Sequence, residues 1–376
     1  MNERRGVARR LQGVKLSLIR RVFERAPAGA INLGLGEPAF DTAPEILATA
    51  REALDGGRLG YTFNGGMAEL RELVAERSPG SPGPESVCVT VGANGGLLGS
   101  MLAAVDAGDE VLVPDPGFPT YEALASLAGA TAVRYPMMAD AGFRFSADSL
   151  ELMITPSTRA VVINTPSNPT GHVIPYGELE KLSRLAEEHD LTVISDEVYQ
   201  HFYYAERATS YGDVSSRGLV VNSLSKTEAM TGWRIGWVVG PPEFIAGVTA
   251  INQHSVTCAP ALAQLAALTA LGPGSAERAE RTRADFARRR SLMLETIDRE
   301  LGLPRIEPDG AFFVMVEAAP EGNSLEVALD ILEKTGVVTV PGAAFGDQAA
   351  RFLRLSFAAS EPDISEGLRR IAEWRS

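Results

Sequence analysis

Six short apolar runs, separated by stretches with helical periodicity, constrain the fold of this 376-residue chain more than any other feature. Nearly continuous Val/Ile runs are typical of strands that are buried on both faces of a parallel sheet. Helical stretches between the runs include residues 95–106, 120–128 and 176–189. The sequence therefore predicts an α/β fold with a doubly wound, mostly parallel sheet. The runs are VCVTV from residue 87, EVLVP from 110, TAVRYP from 131, RAVVIN from 159, LTVISD from 191 and GLVVNSL from 218.

The length of the chain and its pattern after residue 275 predict a second, smaller domain. A long polar helix over residues 275–301 is followed by AFFVMVEA, GVVTVPGAAFG and RFLRLSFA, with helices between them, which is an α+β pattern. Near the N-terminus, a basic arm leads into an amphipathic helix with the apolar stripe Leu16, Ile19, Val22 and Phe23. We therefore predict an arm that belongs in part to the small domain over residues 1–40, a large domain over 41–285 and a small C-terminal domain over 286–376.

The charge of the chain argues against two classes of partner. It carries 48 acidic and 35 basic residues, a net charge of −13, whereas nucleic acid and anionic membranes bind basic surfaces. No signal peptide or membrane-spanning run is evident, and Cys88 and Cys258 lack metal-ligand spacing. We expect a cytoplasmic protein without a metal site.

Small and polar residues follow the predicted strands, at the edge where open α/β sheets bind ligands. The turn Gly92-Ala93-Asn94 leads from the first run into a helix, and the N–H groups of a helix start suit a phosphate. Such turns are also common without a ligand, so the turn alone leaves both interpretations open. Phe118 and Tyr121 follow the second run, where an aromatic ring either lies flat on a heterocycle or fills the core.

Two further strand ends carry side chains with two possible uses. Asn168 lies in the rigid turn TPSNPTG, which turn chemistry explains as well as an inward-pointing amide does. Asp196 ends the run LTVISD, and Tyr199 follows it. A carboxylate there serves as a helix cap or ion-pair partner, or it keeps a pyridine nitrogen protonated and makes the ring an electron sink.

Lys226 lies in the segment SLSKTEAMTGWRIG, residues 223–236. A lysine between hydroxyl residues, followed by Arg234, can form an imine while its neighbours hold a phosphate. This segment resembles the lysine signature of the class I aminotransferases, which are fold type I pyridoxal-phosphate (PLP) enzymes, and the resemblance extends from about residue 16 to the end of the chain. It implies PLP as cofactor and transfer of an α-amino group between an L-amino acid and a 2-oxo acid.

The resemblance also implies a role for each site residue. Lys226 carries the cofactor as an internal aldimine and acts as general acid and base. Asp196 serves the ring nitrogen, Asn168 and Tyr199 the ring oxygen, and Phe118 stacks on the ring; Asp196 and Tyr199 count with Lys226 as catalytic. The phosphate lies among Gly92, Ala93, Asn94, Ser223 and Arg234.

Two further roles concern a partner subunit and the substrate. Tyr61, in GYTFNGGMAELRE, matches a tyrosine that reaches the phosphate of the neighbouring subunit, which implies a homodimer. Arg354, in RFLRLSFA, matches the arginine that binds the α-carboxylate of the substrate through two parallel donors. Gly36 and Asn168 contribute to the same carboxylate site.

The chain departs from the family pattern at Asn94, where many relatives have lysine or glutamine, and at Phe118, where tyrosine or tryptophan is usual. A dicarboxylate substrate needs a further cation, for which Lys15, Arg20 and His254 are candidates, so the sequence leaves the substrate open. Two other functions also stay open. One is another PLP reaction, such as β-elimination, decarboxylation or an oxidase-like hydroxylation. The other is a non-catalytic PLP-binding sensor, against which the retained site residues and the lack of a basic recognition helix argue.

Overall fold

The computed structural model describes residues 8–12, 14, 17–57 and 59–376 of the chain. The strands are β1 Ile31–Asn32, β2 Val87–Val91, β3 Glu110–Asp115, β4 Thr131–Pro136, β5 Thr158–Asn164, β6 Thr192–Asp196, β7 Leu219–Ser223, β8 Ile235–Val239, β9 Arg305–Ile306, β10 Phe313–Val316, β11 Val337–Val338, β12 Val340–Pro341 and β13 Leu353–Ser356. The α-helices are α1 Arg9–Gln12, α2 Leu18–Phe23, α3 Pro44–Asp55, α4 Ala68–Arg77, α5 Gly92–Ala104, α6 Thr120–Ala128, α7 Ala147–Glu151, α8 Tyr176–Glu188, α9 Pro242–Ser255, α10 Ala261–Leu271, α11 Ser275–Thr296, α12 Ser324–Thr335 and α13 Glu361–Arg375. None of these helices combines the length and the apolar character that crossing a membrane requires.

A seven-stranded sheet forms the centre of the fold, in the order β2-β8-β7-β6-β5-β3-β4. Its strands pair in parallel except for β8, which is antiparallel to both of its neighbours. All six predicted runs are strands of this sheet, which confirms the predicted α/β class. The sequence analysis missed β8, because its residues IGWVV begin inside the segment that was interpreted as a phosphate-binding motif.

Helices cover both faces of the sheet. Side chains of a strand alternate between the faces, and in β5 Ala160 and Val162 pack in the core beneath α5, α6 and α9, whereas Val161 and Ile163 pack in the core beneath α7 and α8. The sheet is therefore doubly wound, and its inner strands are mostly apolar because both of their faces are covered, whereas the edge strand β4 keeps exposed residues. The helix α5 begins three residues earlier than predicted, directly after β2.

The C-terminal part of the chain builds a smaller α+β unit. Its four-stranded antiparallel sheet has the order β12-β13-β10-β9, and α11, α12 and α13 contribute to the same apolar core. The N-terminal segment joins this unit, since β1 pairs in parallel with β11 and Val22 of α2 is buried in that core. Leu16 of the predicted stripe lies outside the described residues. The domain boundaries at residues 40 and 285 stay predictions.

A buried carboxylate connects the large sheet to the C-terminal unit. Asp115, the last residue of β3, accepts hydrogen bonds from the backbone N–H groups of Asp347 at 3.3 Å and Gln348 at 3.2 Å. A Cβ at Gly346 would lie 2.0 Å from Asp115 Oδ1, so only glycine allows this approach. Gly117 N donates in turn to the carbonyl of Phe345 at 2.8 Å. This contact between two turns holds Phe345 beside the carboxyl edge of the sheet.

Candidate active site

A cavity of about 300 Å³ lies at the carboxyl ends of the large sheet, where α/β folds bind ligands. It collects side chains from β6, the loops after β5 and β7, and β13. Of the residues that the sequence analysis proposed for the site, eleven line the cavity: Gly36, Ala93, Asn94, Phe118, Asn168, Asp196, Tyr199, Ser223, Lys226, Arg234 and Arg354.

Lys226 is one of three cations in this set, with Arg234 and Arg354. Its Nζ donates to the carbonyl of Gly36 at 2.6 Å. Burial lowers the pKa of the Lys226 ammonium to about 8; the charge of Glu37 opposes this effect, and Arg354 and Arg234 add to it. The amine is therefore neutral in a substantial fraction of molecules near physiological pH, which is the form that reacts as a nucleophile or base.

Asp196 is held by neighbours on two sides. Its Oδ2 accepts a hydrogen bond from the Tyr121 hydroxyl at 2.7 Å. Asn164, the last residue of β5 and the register partner of Asp196, donates through Nδ2 to the Asp196 carbonyl at 2.8 Å. Burial raises the pKa of the Asp196 carboxyl to about 6, and the hydrogen bond from Tyr121 partly offsets this rise. The carboxylate therefore has a fixed position and a strong tendency to pair with a positive group.

Arg354, on β13, is 3 % exposed and crosses from the small sheet to the large one. Its Nη1 donates to Asn168 Oδ1 at 2.7 Å and its Nη2 to the carbonyl of Gly34 at 2.6 Å. The guanidinium carbon lies 4.1 Å from the ring centroid of Phe313 and 4.9 Å from that of Phe345. These contacts fix the plane of the guanidinium.

The Arg354 guanidinium can still bind an anion in this position. Burial lowers the pKa of Arg354 to about 10, so the group is still charged at neutral pH. Its Nε is buried and has no hydrogen-bond partner within the described part of the chain. A buried, unpaired donor of this kind is costly unless an acceptor binds there.

The start of α5 forms a positive corner of the cavity. No acidic side chain lies in its first turn and no side chain caps it, so its first N–H groups lack intrahelical acceptors. Arg234 is close, since a Cβ at Gly92 would lie 2.3 Å from Arg234 Nη2. Glycine is needed here for a second reason, because Gly92 has a φ of +66°. Ser223 and Ser225 line the same cavity.

Aromatic residues form two walls. Phe118 and Tyr121 meet edge to face with centroids 5.8 Å apart, and Tyr199 packs edge to face against Phe312 at 5.2 Å. Burial raises the pKa of the Tyr199 phenol, so the group is a hydrogen-bond donor at neutral pH.

Several predicted residues lie elsewhere. Tyr61 is 88 % exposed and lines a separate depression with Leu59, Val256 and Cys258. Arg20 and His254, candidates for a distal cation, do not line the cavity; Arg20 pairs with Glu24 at 3.8 Å. Lys15, the third candidate, lies outside the described residues.

The sequence analysis gave no role to two residues that the cavity contains, Asn164 and Ser225, and it considered Tyr121 only as an aromatic ring and not as a donor to Asp196. Asn164 had a usable signal, because it ends the strand beside the one that ends at Asp196, and parallel neighbours bring their ends together. Ile19, Phe23 and Leu35 also line the cavity. No local signal marks them, since their position depends on how the N-terminal segment packs.

Comparison with known proteins agrees with this geometry. Residues 28–371 match the family described as aminotransferase class I and II. The aromatic-amino-acid aminotransferase 2 of Thermococcus litoralis is 37 % identical, with 96 % of each chain covered, and the aspartate/prephenate aminotransferase of Thermus thermophilus is 38 % identical, with 98 % of each covered. The solved structure of Thermus thermophilus aspartate aminotransferase with maleate has a TM-score of 0.92 and 38 % identity, covering 98 % of this chain and 99 % of that one. The chain therefore belongs to the class I and II aminotransferases, a family of enzymes that transfer amino groups.

Proposed function

We propose that the chain is a PLP-dependent aminotransferase that moves the α-amino group between an L-amino acid and a 2-oxo acid, with Lys226 as the anchor of the cofactor. One observation carries the proposal: a buried lysine of lowered pKa shares a cavity with a fixed carboxylate, Asp196, and a buried arginine with a free donor, Arg354. A cofactor with a cationic ring and an anionic phosphate, and a substrate with a carboxylate, account for all three groups.

The residues present fit the phosphate of PLP. The unpaired N–H groups at the start of α5 and the guanidinium of Arg234 supply donors and positive charge. Hydroxyl groups of Ser223 and Ser225 line the same cavity. In a chain with a net charge of −13, this local concentration of donors supports an anion site there.

The residues present also fit the ring of PLP. Asp196, held by Tyr121, is the acceptor for a protonated ring nitrogen. Asn168 and Tyr199 are the polar groups for the ring oxygen, and Phe118 is the aromatic wall. When bound, PLP supplies an electron sink that makes the α-proton of the amino acid removable.

The remaining steps belong to the protein. Nζ of Lys226, which burial keeps partly neutral, takes the α-proton and returns it during amino-group transfer. Arg354 binds the α-carboxylate, with Nε as an available donor and with Asn168 and the Gly36 segment beside it. Its stacking between Phe313 and Phe345 fixes the carboxylate, and hence the α-carbon, relative to Lys226.

We also propose a homodimer. Four large apolar side chains within ten residues of chain are exposed: Leu54 by 56 %, Leu59 by 38 %, Tyr61 by 88 % and Phe63 by 60 %. Val256, 46 % exposed, lines the same depression as Tyr61. An apolar surface of this kind favours burial against a second copy, and Tyr61 then reaches the partner's phosphate site. We place the enzyme in the cytoplasm, and its acidic net charge argues against a nucleic-acid partner.

Replacing the anchor tests the reaction. Lys226→Ala is expected to lower transamination by about 10³-fold or more, because the anchor and the proton carrier are lost together. The measurement is turnover of amino acid and 2-oxo acid, with the visible absorbance of the holoenzyme as a second readout. Lys181→Ala, at an exposed lysine of α8, is the control and keeps full activity. Multiple turnovers by Lys226→Ala, or release of ammonia or carbon dioxide by the unaltered enzyme, would contradict the proposal.

The lowered pKa of Lys226 predicts the pH dependence of cofactor loading. The rate at which apoenzyme reacts with PLP should rise with pH through about 8 and then level off, because burial lowers the pKa of the Lys226 amine from 10.5 to about 8 and the neutral form is the nucleophile. Stopped-flow absorbance measures the rate, with Nα-acetyl-lysine as the exposed reference. A rate that still climbs up to pH 10.5, as for the reference, would show that burial does not act on this amine.

Arg354→Lys tests the carboxylate site. The change keeps a positive charge but removes the parallel N–H donors, so the KM for the amino acid should rise by about 10- to 100-fold. Arg351→Lys, three residues away at an exposed arginine paired with Glu317, is the matched control. Equal KM values for the two variants would exclude Arg354 from substrate binding.

Tyr61→Phe tests the dimer. If the hydroxyl reaches the partner's phosphate, its loss should weaken PLP binding by about 5- to 10-fold without changing the sedimentation of the dimer. Tyr176→Phe, at a tyrosine that is 54 % exposed on α8, serves as the control. A monomer at micromolar concentration would overturn the proposed assembly.

A further inference from the structure

Part of the cavity has no role in the function proposed above. Ile19, Phe23 and Leu35 line it, and we call these three residues the apolar wall. Ile19 and Phe23 are four residues apart on α2, so they lie on the same side of that helix. Leu35 keeps 40 % of its surface exposed. Exposed apolar surface inside a binding cavity is a site for an apolar group.

The apolar wall lies beside the backbone segment whose carbonyl groups accept hydrogen bonds from Arg354 and Lys226. Phe23 Cζ would be 3.3 Å from a Cβ placed at Gly34, and the carbonyl of Gly34 accepts the hydrogen bond from Arg354. Two residues on, the carbonyl of Gly36 accepts the hydrogen bond from Lys226 Nζ. The segment 34–36 therefore extends from the carboxylate end of the substrate to its α-carbon end, and Leu35 lies between these two points.

The described part of the chain provides the cavity with no cation for a second carboxylate of the substrate. Among the described residues that line it, the cations are Lys226, Arg234 and Arg354, and each already has a role. Asn94, at the start of α5, is neutral. A side-chain carboxylate against the apolar wall would lose hydration without gaining a cationic partner from the described residues of the same chain, which is unfavourable.

The negative charge of Glu37 also disfavours an anionic side chain at the apolar wall. Glu37 follows the segment 34–36 directly, accepts a hydrogen bond from Thr231, and is close enough to act electrostatically on Lys226. Its charge would repel an anionic side chain that approached the apolar wall. An apolar side chain meets no such repulsion.

We propose that the apolar wall binds the side chain of the substrate, and that the enzyme prefers amino acids with an apolar side chain over those with a short side chain that ends in a second carboxylate. The inference rests on the proposed function, because it takes Arg354 as the site of the α-carboxylate. Leucine and aspartate form a matched pair for the test, since their side chains have nearly the same shape and differ in charge.

Binding of non-reacting analogues to the holoenzyme tests the pocket apart from the chemistry. The probes are 4-methylpentanoate and succinate, which are leucine and aspartate without the amino group. Calorimetry should give at least about 10-fold tighter binding for 4-methylpentanoate, equivalent to about 1.4 kcal/mol. Tighter binding of succinate by the unaltered enzyme would overturn the inference, whatever residue supplies the charge.

A charge placed on the apolar wall provides the second arm. Ile19→Lys should shift the ratio of the two dissociation constants toward succinate by about 10-fold or more, whereas Leu152→Lys, at a residue that is 88 % exposed outside the cavity, should leave it unchanged. If the ratio of the two dissociation constants is the same in both variants, Ile19 does not line the side-chain pocket.

The rates of the half-reaction complete the test. Leucine should convert the holoenzyme to the amine form of the cofactor faster than aspartate does. Faster conversion by aspartate would contradict the preference for apolar side chains and would leave the proposed function intact. Conversion by no amino acid would contradict the proposed function, while the binding ratio would still report on the pocket.

Discussion

The buried guanidinium of Arg354 is the interaction on which the rest of the site depends. It connects three segments that are distant in sequence. Arg354 itself lies on β13, its Nη2 donates to Gly34, and its Nη1 donates to Asn168. Burial of a charge is unfavourable unless hydrogen bonds satisfy it, so these contacts must form together. The N-terminal segment, the large sheet and the small sheet consequently meet at one point, and the cavity lies between them.

Burial shifts the pKa values of two groups of this cavity in opposite directions. It lowers the pKa of the Lys226 ammonium and raises the pKa of the Asp196 carboxyl, since removal from water disfavours the charged form of each. A cationic ring beside Asp196 reverses the unfavourable burial of that carboxylate. The same property that makes Asp196 costly in isolation therefore makes it a strong partner for a protonated heterocycle.

The sequence predicted the central sheet well, because a strand buried on both faces must be apolar at every position, and Val161 with Val162 is an example. It missed β8, whose antiparallel course no periodicity reveals. Lys226 and Arg354 were found through local motifs that the structure brings into one cavity. Asn164 was missed because its use depends on the register of neighbouring strands. The hydrogen bond from Tyr121 to Asp196 was missed because it depends on how α6 packs beside the end of β6. The apolar wall could not be predicted either, since it arises from long-range packing of α2.

The contact between the turns at Asp115 and Gly346 has a consequence for ligand binding. Phe118 follows Asp115 by three residues, and Phe345, which stacks on Arg354, precedes Gly346 directly. The carboxylate of Asp115 and the N–H of Gly117 hold both turns through hydrogen bonds to backbone groups. The aromatic surfaces of Phe118 and Phe345 are therefore preorganised relative to each other. A ligand that bridges them is spared the loss of conformational entropy that ordering two independent loops would require.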